Sequence, residues 1–142
     1  MKILLKIEEA AMTLAALYML SRYSLGLPLW IWILLFFTPD LGMLGYLVNT
    51  KTGAVTYNLL HHKAIALLLV ALGYWLQNDI CTASGILLFA HSSFDRVWGY
   101  GLKYSDSFSH THLGYIVKDA NKVFFVRTRF RIRLILTGVI PR

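Results

Sequence analysis

The sequence predicts an all-α integral membrane protein, a bundle of four transmembrane helices with a basic C-terminal tail. Hydrophobic residues make up 57% of the 142 residues, and the mean hydropathy is +0.58. Charged residues make up only 15%, whereas soluble domains contain about 25%. Four apolar segments have the length of about 20 residues that crosses the hydrocarbon core of a bilayer. We therefore expect a transmembrane domain with a surface loop over residues 1–116 and a tail over residues 117–142.

The first two segments are separated by a cluster of loop-forming residues. The first segment runs over residues 3–23, and Gly26 and Pro28 follow it as helix breakers. The second runs over residues 29–48 and contains Pro39. Because proline has no backbone N–H to donate, we expect this second helix to bend at Pro39.

The third and fourth segments are also joined by a short connection. Residues 49–53 are polar and predict a turn, after which the third segment runs over residues 54–77. The fourth runs over residues 80–100 and is reached through residues 77–79. Short connections make consecutive helices antiparallel neighbours.

The distribution of Lys and Arg predicts the orientation of the bundle. Basic residues are concentrated at the N-terminus, around Lys51 and from Arg96 onwards, whereas the other two loops contain only Arg22. Positively charged loops stay in the cytoplasm. Both termini are therefore expected to be cytoplasmic.

In this topology, eleven polar or ionisable residues fall near one depth, in the cytoplasmic half of the membrane. They are Glu8, Glu9, Asp40, Asn58, His61, His62, His91, Asp95, Arg96, Lys103 and His112. A charged side chain within or beside a membrane helix is costly and commonly marks a site, a pathway or a buried network. The outer half of the predicted bundle is almost wholly apolar.

Four of these positions have the chemistry of a divalent metal site. His91 and Asp95 are four residues apart, which places both side chains on one face of a helix. Asp40 and either His61 or His62 would join them from two other helices. Imidazole nitrogen and carboxylate oxygen are ligands of zinc, and a catalytic zinc site uses three protein ligands and one water. Helical phase does not choose between the adjacent histidines, which are about 100° apart.

The same residues also fit a polar network that only holds the bundle together. In this alternative, His91 forms a hydrogen bond with Asp95, and Arg96 pairs with Glu8 or Glu9. Structural ion pairs and functional sites use the same residue types.

Several short strings carry a resemblance to a known family. They are Glu8-Glu9, PDLGMLGY at residues 39–46, YNLLH at 57–61, AHSSFDR at 90–96, GYGLKY at 99–104 and THLG at 111–114. Together they resemble the small bacterial membrane proteins of domain-of-unknown-function family four-two-six-zero, over about residues 5–116. The resemblance implies a location in the bacterial inner membrane, and the family has no established activity.

A second resemblance concerns motif order alone. Pro39-Asp40, then a histidine, then His91-x-x-x-Asp95 is similar to the order in YdjM-type membrane-bound metal-dependent hydrolases. The corresponding elements of those proteins are thought to hold a divalent metal. This chain lacks their fuller His-Arg and Thr-His-Ser neighbourhood, so the resemblance bears on metal binding more than on catalysis.

The segment after the fourth helix is predicted to be a loop at the membrane surface. Lys103, His110 and His112 could fold back over the polar residues and bind a phosphate or lipid head group. The alternative is an ordinary interfacial loop, in which tyrosines anchor the chain and Lys103 extends its amine toward water.

The tail alternates arginine with other residues over residues 127–134, a period of two that predicts a strand. Such a strip could bind anionic membrane lipids or pair with the edge of another chain. Assembly into a homo-oligomer also remains open. Much of the formal charge of +7 lies in this tail. We expect no binding of nucleic acid, because no recognition module accompanies the charge.

Two functions remain open at this point. The first is a metal-dependent hydrolase of a lipid-like or phosphorylated substrate. Its metal ligands would be Asp40, His61, His91 and Asp95, its general base Glu8 or Glu9, and its anion-binding residue Arg96 or Lys103. The second is a non-enzymatic membrane module whose buried polar residues serve packing, oligomerisation, or passage of ions or protons.

Overall fold

A computed structural model describes residues 2–23 and 25–116, and in them the chain is all-helical apart from one small hairpin. The elements are α1 (Lys2–Ser21), α2 (Leu29–Phe36), a 3₁₀ helix (Thr38–Leu47), α3 (Thr50–His61), α4 (Lys63–Trp75), α5 (Asp79–Trp98), β1 (His110–Thr111) and β2 (Gly114–Tyr115). β1 and β2 pair antiparallel. The predicted all-α class is confirmed. The predicted strand at residues 127–134, with the rest of the tail, lies outside the described residues.

The second apolar segment changes helix type instead of only bending. α2 ends at Phe36 and a 3₁₀ helix begins at Thr38, with Pro39 in its first turn. This 3₁₀ helix packs so closely against α3 that the two backbones are in contact. A Cβ atom on Gly42 would lie 2.9 Å from the carbonyl oxygen of Thr56, and the Thr56 hydroxyl donates to the carbonyl of Gly42 at 2.6 Å. The glycine thus permits the approach that carries Asp40 toward α3.

The third segment is two helices, and the prediction of one continuous helix was wrong. α3 and α4 meet at an angle of 46° around His62, whose backbone is extended. The predicted turn at residues 49–53 is also wrong, because Asn49 caps α3 there. Its side-chain oxygen accepts a hydrogen bond from the Thr52 N–H at 2.8 Å, so the helix begins at Thr50.

α5 is the central helix and packs against both α1 and α4. Its buried residues Ala83, Ile86 and Ala90 form the core together with Ala16 and Leu20 of α1. Small residues along its contacts let the helices approach closely, as is common in membrane bundles. The polar residues of the last two turns of α5 therefore face side chains of α3 and α1.

The outer surface of the bundle is strongly apolar, and α2 contains no buried residue. In the described part of the chain, the segment Leu29–Leu47 is long and apolar enough to cross a membrane, with a mean hydropathy of 1.4. The bent pair α3 and α4 would be a second span if the two helices act as one. These features indicate membrane association, and the number of four spans stays a prediction.

Candidate metal centre

Asp40, His61, His91 and Asp95 lie together, and we call them the histidine cluster. Each contributes one nitrogen or oxygen atom to a group whose members all lie within 4.8 Å of one another. The 3₁₀ helix supplies the aspartate at its start, α3 supplies the histidine at its last residue, and α5 supplies the other two. Both histidines are buried, whereas 37% of the Asp40 side chain is exposed, so the cluster opens on the side of Asp40.

Five distances between donor atoms of the histidine cluster lie between 3.1 and 3.8 Å, near the spacing of the ligands of a four-coordinate metal. The two Nε2 atoms of His61 and His91 are 3.1 Å apart. Asp40 Oδ1 lies 3.7 Å from the first and 3.5 Å from the second. Carboxylate oxygens of Asp95 lie 3.4 and 3.8 Å from them. In a tetrahedral site with bonds of about 2.0–2.1 Å, neighbouring donor atoms are about 3.3 Å apart.

Tyr57 orients two members of the cluster from one turn earlier on α3. The Nδ1 atom of His61 lies 2.9 Å from the Tyr57 carbonyl oxygen, which can only accept, so Nδ1 carries the proton. Nε2 is then the unprotonated nitrogen, and it faces the cluster. The Tyr57 ring stacks on the imidazole, and its hydroxyl donates to Asp95 Oδ2 at 2.7 Å.

Tyr57 was missed as a functional residue. The spacing of four residues to His61 on one helix was the available signal. His62, the other candidate, lies exposed between α3 and α4, so His61 is the histidine that enters the cluster.

His91 is held by aromatic rings instead of by a second hydrogen bond. The Phe36 ring meets the imidazole edge to face, with centroids 5.2 Å apart, and Phe37 lies 6.4 Å away. Its Nδ1 atom is buried and has no hydrogen-bond partner among the residues that the structure describes. α2 therefore packs onto the site even though it supplies no ligand.

A second group of charges lies on another side of α5, and we call Glu9, Lys63, Arg96 and His112 the ion-pair cluster. Lys63 forms an ion pair with Glu9, and Arg96 Nη1 lies 3.8 Å from the same carboxylate. The Nδ1 atom of His112 accepts the Leu102 N–H at 2.8 Å. Partial burial and the nearby Arg96 lower the pKa of His112.

The predicted general bases and anion-binding residues thus do not lie together in the histidine cluster. Glu9 pairs with both Arg96 and Lys63, and Glu8 is exposed. The adjacent residues Asp95 and Arg96 enter different clusters because successive side chains on a helix differ by about 100°.

Lys103 lies beside the histidine cluster on the loop after α5. The Asn58 side chain forms hydrogen bonds with both the N–H and the carbonyl of Lys103. Its oxygen accepts the Lys103 N–H at 2.7 Å, and its amide donates to the Lys103 carbonyl at 2.8 Å. The lysine is 3% exposed. Burial lowers its pKa to about 8, and the carboxylates of Asp95 and Asp40 act against that shift. By contrast, His110 is outside both clusters and pairs with Asp106.

Comparison with known proteins supports the first resemblance. No curated protein and no solved structure matches the chain. A family model described as a domain of unknown function, DUF4260, matches residues 2–116. This range contains every described member of both clusters. The chain therefore belongs to the DUF4260 family.

Proposed function

We propose that the protein is a membrane-embedded metalloprotein in which the histidine cluster holds one divalent metal ion, with zinc as the best fit. The observation that carries this proposal is that two imidazole nitrogens and two carboxylate oxygens, from three helices, lie within 4.8 Å of one another. Zinc takes nitrogen and oxygen donors in a tetrahedral arrangement at these spacings. A structural ion pair needs no such convergence.

The charges in the cluster favour a cation at its centre. His61 Nε2 has no proton, and carboxylates accept hydrogen bonds when ionised. His61 carries its proton on Nδ1, directed at the Tyr57 carbonyl and away from the cluster. A neutral His91 carries one proton on either ring nitrogen, so the atoms that face one another hold at most one proton. Two carboxylates beside two buried imidazoles leave a net negative charge, and a buried charge is costly unless it is compensated. A divalent ion would neutralise both carboxylates.

The alternative is the polar network without a metal. One observation favours it: the Nε2 atoms of His61 and His91 are at hydrogen-bond distance, 3.1 Å. A proton on His91 Nε2 would donate to His61 and satisfy both nitrogens, leaving Asp40 without a donor from either ring.

We further propose that the centre supports hydrolysis of a lipid-like or phosphorylated substrate. The exposed side of the cluster at Asp40 gives a substrate access. The four side chains would fill a tetrahedral coordination shell, so hydrolysis would need one carboxylate to give up its position to water. A divalent ion would then supply Lewis acidity and lower the pKa of that water. Because Arg96 is already paired with Glu9, Lys103 is the better candidate for binding an anionic substrate group. Glu9 would have to leave its ion pairs to act as a general base.

The metal proposal is tested by elemental analysis of the protein purified in a neutral detergent without chelators. We expect about one divalent ion per chain in the wild type. Asp40→Asn should stay folded and lose most of the metal, since the amide keeps the size and removes the charge. His62→Ala is the matched control, because it removes an exposed histidine next to the cluster. A metal-free wild type, with lower thermal stability in His91→Ala, would instead support the polar network, because His91 is the donor to His61 in that network.

We also propose that the bundle crosses the inner membrane of a bacterium four times, with α3 and α4 forming one broken span. The support is the apolar outer surface of the bundle together with the asymmetry of Lys and Arg. Single cysteines at Lys51 and Asn78, in a protein whose Cys81 is replaced by serine, should be labelled from the inside and the outside respectively. The reverse pattern would move both clusters to the external half.

A further inference from the structure

The loop that carries Lys103 is fixed on the bundle by its backbone. Asn58 forms two hydrogen bonds with the Lys103 backbone, and Lys103 pairs with Thr111 as an isolated β-bridge. Gly101 lies so close to His112 that a Cβ atom there would be 2.6 Å from its Nδ1 atom. The position of Lys103 is therefore set by contacts on both sides of the loop.

The amine of Lys103 is buried and lacks an acceptor. Its Nζ atom has no hydrogen-bond partner among residues 2–23 and 25–116, although the side chain is only 3% exposed. Three aromatic rings surround it, with centroids at 3.9 Å for Phe108, 4.9 Å for Tyr57 and 5.7 Å for Tyr100. The rings attract a cation. An ammonium group nevertheless has three N–H donors, and burying them without acceptors is unfavourable.

Tyr57 connects this amine to the histidine cluster. The Lys103 amine lies 4.9 Å from the centroid of the Tyr57 ring, and the Tyr57 hydroxyl donates to Asp95. The carboxylates of Asp95 and Asp40 attract the amine, but neither forms an ion pair with it within 4 Å among the described contacts. The amine therefore lies near the cluster without being neutralised by it.

The net charge of this region changes sign when a metal binds. Asp40, Asp95 and Lys103 together carry a charge of about −1 with neutral histidines, and a divalent ion changes this sum to about +1. An anion is then repelled by the metal-free centre and attracted by the loaded one. Coulombic effects of this kind are large where water is excluded.

We propose that Lys103 and the bound metal together hold a phosphate group, so that binding of the phosphate ligand depends on the metal. This inference rests on the proposed metal centre. A phosphate group has several oxygens and can contact a metal and an ammonium group at once, and lysine is a common phosphate ligand. Lys103, with the rings of Phe108, Tyr100 and Tyr57 around its amine, would then be the part of the site that selects phosphorylated ligands.

A groove beside the cluster favours a lipid as the source of the phosphate. It has a volume of about 600 Å³ and lies between α2 and α5. Its lining includes Leu25 and Ile80 at one end and Thr38 and Leu87 at the other. Thr38 is two residues from Asp40 and Leu87 is one helical turn from His91. An acyl chain whose head group lies at the Thr38 end of this groove would therefore bring that head group toward the histidine cluster.

The test measures the affinity for zinc in neutral detergent, alone and with either inorganic phosphate or decyl phosphate. For the wild type we expect at least one phosphate ligand to increase the zinc affinity by about 10-fold or more, because linked binding is reciprocal. Lys103→Met keeps the length of the side chain and removes the charge. It should bind zinc alone about as well as the wild type and reduce the phosphate effect to less than about twofold. Lys51→Met, at an exposed lysine of α3, is the matched control and should retain the full effect.

The outcomes separate the two proposals and the two sources of phosphate. If the wild type binds no zinc, the metal centre itself is wrong. If it binds zinc with no change on adding either phosphate ligand, the metal centre stands and the phosphate pocket is overturned. An effect of decyl phosphate alone supports a lipid, and an equal effect of inorganic phosphate supports a soluble ligand. A full phosphate effect in Lys103→Met overturns the role of Lys103. If Lys103→Met does not fold, Lys103→Gln takes its place with the same expectation, and a full effect in that variant overturns the proposal.

Discussion

The histidine cluster and the ion-pair cluster both include residues from the same two turns of α5, but they differ in charge pairing. In the ion-pair cluster, the single carboxylate of Glu9 meets the cations Lys63 and Arg96. In the histidine cluster, the atoms that face one another are nearly all acceptors, from Asp40, Asp95 and the two imidazoles.

This difference separates a structural network from a candidate site better than residue type does. Buried charges in native proteins are normally paired with an opposite charge or bound to a metal. In the ion-pair cluster each charged side chain has an oppositely charged partner within the cluster, and loss of these ion pairs should lower stability. The histidine cluster is balanced only when a cation is added, and its removal should cost metal binding.

Removing one imidazole of the histidine cluster is the strongest test of the difference between the two clusters. We expect His91→Ala to lower the metal affinity by more than about 100-fold, because loss of a ligand should exceed the 10–100-fold effect of losing an outer-shell partner. Equilibrium dialysis with zinc measures this change. His110→Ala removes a histidine outside both clusters and should bind metal normally. Equal affinity in wild type and His91→Ala would exclude His91 as a ligand.

The reciprocal experiment removes the carboxylate of the ion-pair cluster. Glu9→Gln leaves Lys63 and Arg96 without their shared anion, and hydrogen bonds to charged groups contribute about 1.5–3 kcal/mol. We expect the free energy of unfolding in mixed micelles to fall by about 2 kcal/mol, with an unchanged metal content.

Glu8→Gln is the control for this experiment, since Glu8 is an exposed neighbour on the same helix. A Glu9→Gln protein that kept its stability and lost metal would mean that the two clusters act as one.

A smaller effect is expected from the residue that orients the histidine cluster. Tyr57→Phe removes the hydroxyl that donates to Asp95 and keeps the ring that stacks on His61. We expect the zinc affinity to fall by about 10-fold, the lower end of the range for such partners. Tyr46→Phe is the control, because the Tyr46 hydroxyl is buried without a hydrogen-bond partner among the described residues. An unchanged affinity in Tyr57→Phe would limit Tyr57 to packing.

The members of the histidine cluster could be predicted from the sequence because each helix carries its own local signal. The spacing of His91 and Asp95 places them on one face whatever else the chain does. Asp40 follows Pro39, which marks an irregular point in the second segment. The choice of His61 over His62 could not be made, since it depends on the break between α3 and α4. The periodicity of apolar residues does not predict where one helix ends and the next begins.

The partners that complete each cluster were harder to predict, because they are distant in sequence. Tyr57 reaches Asp95 across 38 positions, and Lys63 reaches Glu9 across 54. Pairings of this kind follow from the packing of α3 and α4 against α5 and α1, which no local pattern encodes. The role of Asn58 in holding the Lys103 loop has the same origin.

The smallest expected effect concerns pH and the ion-pair cluster. His112 has a lowered pKa, caused first by partial burial and then by Arg96, so the folded protein takes up a proton on it less readily than the unfolded chain does. The contribution of His112 to the free energy of unfolding is therefore fully present above its unfolded pKa of about 6.5. It is lost as the pH falls below that value toward the folded pKa.

His112→Asn keeps an acceptor for the Leu102 N–H and does not titrate. Between pH 8 and pH 5, with a chelator present to remove metal effects, the thermal midpoint of His112→Asn should therefore fall slightly less than that of the wild type. Because His112 is partly exposed, solvent screening keeps this difference small. Identical pH profiles for the two proteins would show that the ion-pair cluster does not include His112.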